Sequence, residues 1–138
     1  MDTEPKGAES VERVFHLALR ADWDAALRTG EYRVSTRGRT LEHEGFIHAS
    51  YRHQVQGVRD TFYADVQDGL VLLEIDPGAV GAPVVAEVPA DAREAFPHLY
   101  GPLPVAAVVE VHPVPGRDVW SAVESRKRRT RDADTRST

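Results

Sequence analysis

The sequence predicts a single α+β domain whose central, mostly antiparallel sheet is split around a cleft. Its 138 residues suit one domain, and 41% hydrophobic composition suffices for a core. Short apolar runs near residues 13–18, 46–49, 70–76, 84–88 and 106–112 are bounded by turn residues, as strands are. Stretches with apolar residues at helical spacing lie between them, with no internal repeat and no inner linker.

Residues 1–10 are polar and acidic and read as a disordered N-terminus. The domain is expected over 11–124. Val14-Phe15-His16-Leu17-Ala18-Leu19 reads as the first strand. A helix over Ala21 to Thr29 follows, with Asp22 as its N-cap, Trp23, Ala26 and Leu27 at helical spacing, and Gly30 as its stop. Thr36 to His43 is polar and reads as an exposed loop. Gly45-Phe46-Ile47-His48 reads as a strand, and Arg52 to Ala64 as an amphipathic helix through Val55, Val58, Phe62 and Tyr63. Leu70-Val71-Leu72-Leu73-Glu74-Ile75 is apolar enough to be a central strand, and Asp76-Pro77-Gly78 ends it, with Asp76 as a cap. Pro83 to Val88 and Val105 to Pro113 are further strands, with a short helix or turn at Asp91 to Pro97. The segment Phe96 to Pro104, with three prolines and a glycine, reads as rigid and non-helical. Asp118 to Glu124 closes the domain as a short helix, and 125–138 reads as a basic, disordered tail that the fold does not need.

The net charge of -5 is unevenly spread. Residues 125–138 hold six of the 17 basic and two of the 22 acidic residues, a local charge of +4. The rest, with 11 basic and 20 acidic residues, carries -9. An acidic body argues against nucleic acid as the partner, because phosphate contacts supply most of that affinity. No apolar run is long enough for a membrane span, and the N-terminus lacks the basic-then-apolar order of a signal peptide. Without cysteine there is no disulfide, thiolate metal site or cysteine nucleophile. A cytoplasmic protein is expected, with a small molecule as its ligand.

The chemistry concentrates in Glu42-His43-Glu44-Gly45-Phe46-Ile47-His48-Ala49-Ser50. On a strand, Phe46, His48 and Ser50 share one face. His16 and His98 also fall in apolar, ordered settings. One such histidine is more often a satisfied core group than a site; three of them point to a cleft in which the rings converge. His43, His53 and His112 read as surface groups. The pair His43 and His48 misses the i, i+4 spacing of the helical zinc motif, and Gly45 breaks the helix it needs, so no metal is expected. Glu87 alternates with Val84-Val85-Ala86 and faces the same pocket in this reading. No serine-hydrolase elbow, phosphate loop or dinucleotide fingerprint is present.

Phe15-His16-Leu17-Ala18, Glu44 to Ser50, Leu72-Leu73-Glu74-Ile75-Asp76 and Phe96-Pro97-His98-Leu99-Tyr100-Gly101-Pro102-Leu103 stand in the order found in a bacterial family, domain of unknown function 952. The chain resembles that family over Val11 to Val114. The family's fold is similar to that of the ADP-ribosyltransferases. Those enzymes often open with Tyr-His-Gly-Thr on a strand, then a helix ending at glycine; Phe15 to Ala18 and Gly30 resemble this. The resemblance implies NAD or a related nucleotide as ligand, with His16 at the adenosine ribose and Phe46 to Ser50 as the second strand. The Gly-Thr pair is Leu17-Ala18 here, and no residue matches the transferases' catalytic glutamate. The expected cleft is lined by His16, His48, Ser50, His98 and Tyr100, with Glu87 facing it and Arg20 supplying charge for a phosphate. His48 and His98 are the expected catalytic groups. Two other readings stay open: a metal-independent cyclase or isomerase of specialised metabolism with a histidine general base, and a non-catalytic binding module.

Overall fold

The computed structural model describes residues 12–137. The expected N-terminal disorder at 1–10 lies outside them. In chain order the elements are β1 (Val14–Leu19), α1 (Arg20–Thr29), β2 (Glu31–Tyr32), β3 (Val34–Thr36), β4 (Arg39–Thr40), α2 (Leu41–Glu44), β5 (Ile47–His48), α3 (Val55–Phe62), β6 (Leu70–Ile75), β7 (Val84–Glu87), β8 (Phe96–Leu99), β9 (Leu103–Pro104), β10 (Val108–Pro113) and α4 (Val119–Ser137). Short 3-10 turns sit at Arg52–Gln54, Pro77–Ala79 and Val105–Ala107. This is one α+β domain with small antiparallel sheets.

β6 is the axis of the fold. It lies between β1 and β10, antiparallel to both, with His16 opposite Leu73 and Val111 on its other side. Its side chains alternate between two cores. Val71, Leu73 and Ile75 pack with Trp23, Ile47 and Leu99 on one face. Leu70 and Leu72 pack with Val55, Tyr63, Val119 and Val123 on the other. Burial on both faces is what a continuous apolar strand requires.

A second sheet has the order β5-β8-β7. A single bridge joins it to the first: Phe15 and Ser50 exchange both backbone hydrogen bonds at 2.8 Å. β8 contains Pro97, an unusual residue for a middle strand. Ala49 N–H donates to the Pro97 carbonyl at 2.9 Å, and the reciprocal bond is the one proline cannot make; β5 ends one residue earlier, at His48, so no ladder is broken. The rigid, non-helical reading of Phe96 to Pro104 thus resolves into two strands.

Several boundaries differ from the sequence reading. α1 starts at Arg20 with Leu19 at the cap position, and Asp22 lies inside the first turn, where a carboxylate favours the helix dipole without capping it. Leu27 is 53% exposed, off the buried stripe of Trp23 and Ala26. The loop expected at Thr36 to His43 is the β3–β4 hairpin, turning at Gly38 with φ 76°, followed by α2, whose first turn is capped by Thr40 accepting from His43 N–H at 3.2 Å. Asp76 caps as expected, accepting from Gly78 N–H at 3.0 Å. Among the described residues no helix is long and apolar enough to cross a membrane.

α4 continues to Ser137, past Glu124 where the sequence reading closes it. No glycine or proline follows Glu124, and arginine, lysine and alanine are good helix formers. Its first turns are anchored by Val119 and Val123 in the core and by Trp120, edge-on to Phe15 at 5.3 Å. Beyond Ser125, Arg126 reaches Glu110 at 3.5 Å and His112 at 3.4 Å, and the ion pair is 42% and 48% exposed. Exposed pairs contribute little. Truncation after Ser125 is therefore expected to move the melting temperature by less than about 4 °C, the equivalent of ~1 kcal/mol in a domain of this size. A loss of many degrees in a thermal melt would show that the distal helix docks on the body.

Candidate functional site

The β5-β8-β7 sheet builds the site through its register. His48 lies directly opposite His98, which lies opposite Val85; Phe96 lies opposite Glu87. Alternation then places Phe46, His48, Phe96, His98, Tyr100 and Glu87 on one face. The other face carries Ile47 and Leu99 into the core. Phe46 stacks on His98 with ring centroids 3.9 Å apart and planes 11° from parallel. The His48 ring centroid is 5.4 Å from that of His98 and 4.8 Å from that of Phe96.

His98 is 3% exposed, yet its two nitrogens have different surroundings. Nδ1 is 2.7 Å from Glu87 Oε1. The same carboxylate oxygen accepts a short bond from the Tyr100 hydroxyl. The hydroxyl, then the imidazole, hold the Glu87 carboxyl below the usual carboxylate range, so it is ionised at neutral pH and can only accept. Nδ1 therefore carries a hydrogen. In the neutral ring Nε2 is then a lone pair, buried and without a hydrogen-bond partner among the described residues. A carboxylate behind one nitrogen and a free lone pair at the other is the arrangement that lets imidazole take up a proton.

His48 is half-buried, and among the described residues its ring nitrogens meet no hydrogen-bond partner. Its backbone is held: the N–H donates to Ser35 Oγ at 3.2 Å and the carbonyl accepts from His16 Nδ1 at 2.8 Å. Burial, reinforced by the nearby His98, lowers the pKa of His48 to about 4, so the ring is neutral at pH 7. His48 lines a cleft of about 750 Å³ whose walls include Arg37, Arg39, Glu44, Phe62, Asp91 and Phe96. That volume is in the range of small-molecule sites. The arginines are already paired, Arg37 with Asp65 at 2.5 Å and Arg39 with Glu44 at 3.3 Å.

The expected site residues separate into groups. His48, His98, Glu87 and Tyr100 form one constellation. His16 joins it only through the His48 backbone. Its Nδ1–H donates to a carbonyl, so Nε2 must accept from the Tyr32 hydroxyl at 3.0 Å; both nitrogens are used inside the protein. Burial lowers the His16 pKa to about 4, opposed by its bond to the His48 carbonyl. Ser50 is buried and lines, with His16 and His48, a void of about 10 Å³, room for one water. Of the expected site residues His48 is among those lining the larger cleft, whereas His16, Ser50, His98, Tyr100, Glu87 and Arg20 are not, and Arg20 is exposed at the start of α1.

One sequence reading is corrected. His112 is not a surface group: it is 0% exposed, with Nε2 3.0 Å from Glu74 Oε1. Its place near the end of a strand suggested exposure, and the covering by α4, whose Arg126 reaches the ring at 3.4 Å, was not visible in the sequence. His43 and His53 are exposed, as read. The reading missed Arg37, Arg39, Glu44 and Asp91, because polar residues between strands look alike whether they border solvent or a cleft.

Among curated proteins none matches. Two crystal structures of protein CC0527 from Caulobacter crescentus, one of a double mutant, are similar to this chain at 31% identity and TM-score 0.63, covering 73% of this chain and 84% of that one. The solution NMR structure of the same protein gives TM-score 0.59 over 72% of this chain and 81% of that one. A family model described as "Protein of unknown function (DUF952)" matches residues 17–111, which contain the whole β5-β8-β7 platform, and the chain belongs to that family.

Proposed function

We propose that this chain is a small-molecule-binding domain whose cleft supports metal-independent proton transfer at the His48–His98 pair. The observation that carries the reading is His98 Nε2, a buried lone pair without a partner, beside a neutral His48 that lines the cleft. A proton leaving a bound substrate goes to Nε2. The imidazolium so formed is stabilised by the Glu87 carboxylate at Nδ1, and the proton returns to the substrate at another atom or to water. His48, with a pKa of about 4, is a weak base and serves better as a hydrogen-bonding group between cleft and His98. Tyr100 positions Glu87. This is the chemistry of an isomerase or cyclase.

A nucleotide ligand is the second reading. It rests on the family's likeness to the ADP-ribosyltransferase fold, with Arg37 and Arg39 beside Phe62 and Phe96 in the cleft as groups for phosphate and base. The engaged nitrogens of His16 argue against a direct hold on ribose. Glu44 and Asp91 line the cleft, but no carboxylate matches the transferases' glutamate, so ADP-ribosyl transfer should be slow or absent.

Calorimetry with NAD and nucleotide fragments, together with native mass spectrometry of the protein as purified, tests both readings. For whichever ligand is found, His48→Ala and His98→Ala are expected to weaken binding by on the order of tenfold or more, since each strands a ligand hydrogen bond, with the circular dichroism spectrum unchanged. Retained binding in both variants would dissociate the cleft from the histidines. Binding without any turnover would make the domain a non-catalytic module.

A further inference from the structure

We infer that the ligand group meeting the two histidines is an uncharged hydroxyl borne on an apolar, ring-like body. This rests on the proton-transfer reading above and specifies its substrate class. With Glu87 accepting at Nδ1, the neutral His98 ring, the form that can take up a proton, presents Nε2 as an acceptor, and the partner of that form must be a donor. His48, neutral, brings one donor and one acceptor nitrogen. A hydroxyl placed between the rings donates to His98 Nε2 and accepts from His48 N–H, satisfying both. A carboxylate or phosphate has no hydrogen for Nε2 at neutral pH, and it would approach the ionised Glu87. No lysine or arginine contacts His48 or His98 among the described residues, and the cleft arginines already face Asp65 and Glu44.

The surroundings select the rest of the molecule. Phe46 stacks on one face of His98, Phe96 flanks His48, and Phe62, 50% exposed, lies on the cleft wall. These rings offer flat apolar surface to a ring-like ligand. Nε2 is closed off from water; the rings beside His98 are Phe46 and His48, and of these His48 lines the cleft. Among the described residues no hydrogen bond holds the His48 ring, so admitting the hydroxyl requires only that this ring shift against Phe96 and His98.

The test uses the full chain labelled with nitrogen-15 and three probes of one shape: phenol, anisole and benzoate. Imidazole nitrogen signals are followed at neutral pH. Phenol is expected to shift the His98 and His48 nitrogens and to bind about tenfold or more tighter than anisole or benzoate, the penalty for a stranded buried acceptor. His98→Phe keeps a ring against Phe46 but removes the lone pair, and should erase the preference for phenol over anisole. Should that variant not fold, Glu87→Gln at the half-exposed carboxylate is expected to reduce the same preference. Benzoate binding tightest, or anisole equalling phenol, would overturn the hydroxyl assignment while leaving the cleft as a binding site. If no probe shifts either histidine at its solubility limit, the proton-transfer reading falls with it.

Discussion

Acidification from pH 6.5 to about 4 is expected to cost the protein about 3 kcal/mol of stability through His16 alone. The unfolded histidine titrates at its ordinary value of 6.5; the native one, buried and hydrogen-bonded as the neutral ring, titrates at about 4. Above 6.5 both states are neutral and the contribution is complete. As pH falls below 6.5 the unfolded chain binds the proton and the native state does not, so unfolding is favoured progressively until about 4. His48 acts in the same direction over the same window. The lowered carboxyls of Glu42, Asp65, Glu87 and Glu94 lose their contribution near and below the ordinary carboxylate values of 4.5 and 3.8, so the upper part of the window reports the histidines. Urea midpoints across it should fall steadily. His16→Gln, whose amide can donate to the His48 carbonyl and accept from Tyr32, should flatten the slope. An unchanged slope would mean that native His16 is already protonated.

Leu73→Ala is expected to destabilise by about 2–5 kcal/mol, a large part of the ~5–15 kcal/mol that a domain possesses. Leu73 is 0% exposed at the middle of β6, between His16 on β1 and Val111 on β10. Ladders on both sides hold its backbone, so the cavity cannot collapse. Leu27→Ala, at a side chain 53% exposed, should change stability by less than about 0.5 kcal/mol. Chemical denaturation of the two variants gives the contrast directly. A small effect at Leu73 would show that β6 can repack.

The central strand, the helix closed by Gly30 and the cap at Asp76 were legible because each depends on local chemistry: an apolar run, a residue that tolerates positive φ, a short acceptor. So were His48 and His98 as residues of interest, since histidines in apolar segments are conspicuous. The two-residue strands β2 and β9 were not legible. Strands that short carry no period, and these two exist only because each pairs with the other, remote in sequence.

The sequence by itself determined the α+β class, the acidic body, the absence of thiol chemistry and the identity of the titratable groups. Only the tertiary structure decided what each histidine does. Three similar rings were sorted by their neighbours: His16 locked between a carbonyl and Tyr32, His48 left at the cleft, His98 given Glu87 at one nitrogen and nothing at the other. His112 was buried beneath α4, whose Arg126 reaches its ring, and paired with Glu74, which stands 38 positions away. The role of an imidazole is set by what lies within hydrogen-bond reach of its two nitrogens and by how much water remains. Both quantities are fixed by chain segments remote in sequence, which no local pattern encodes.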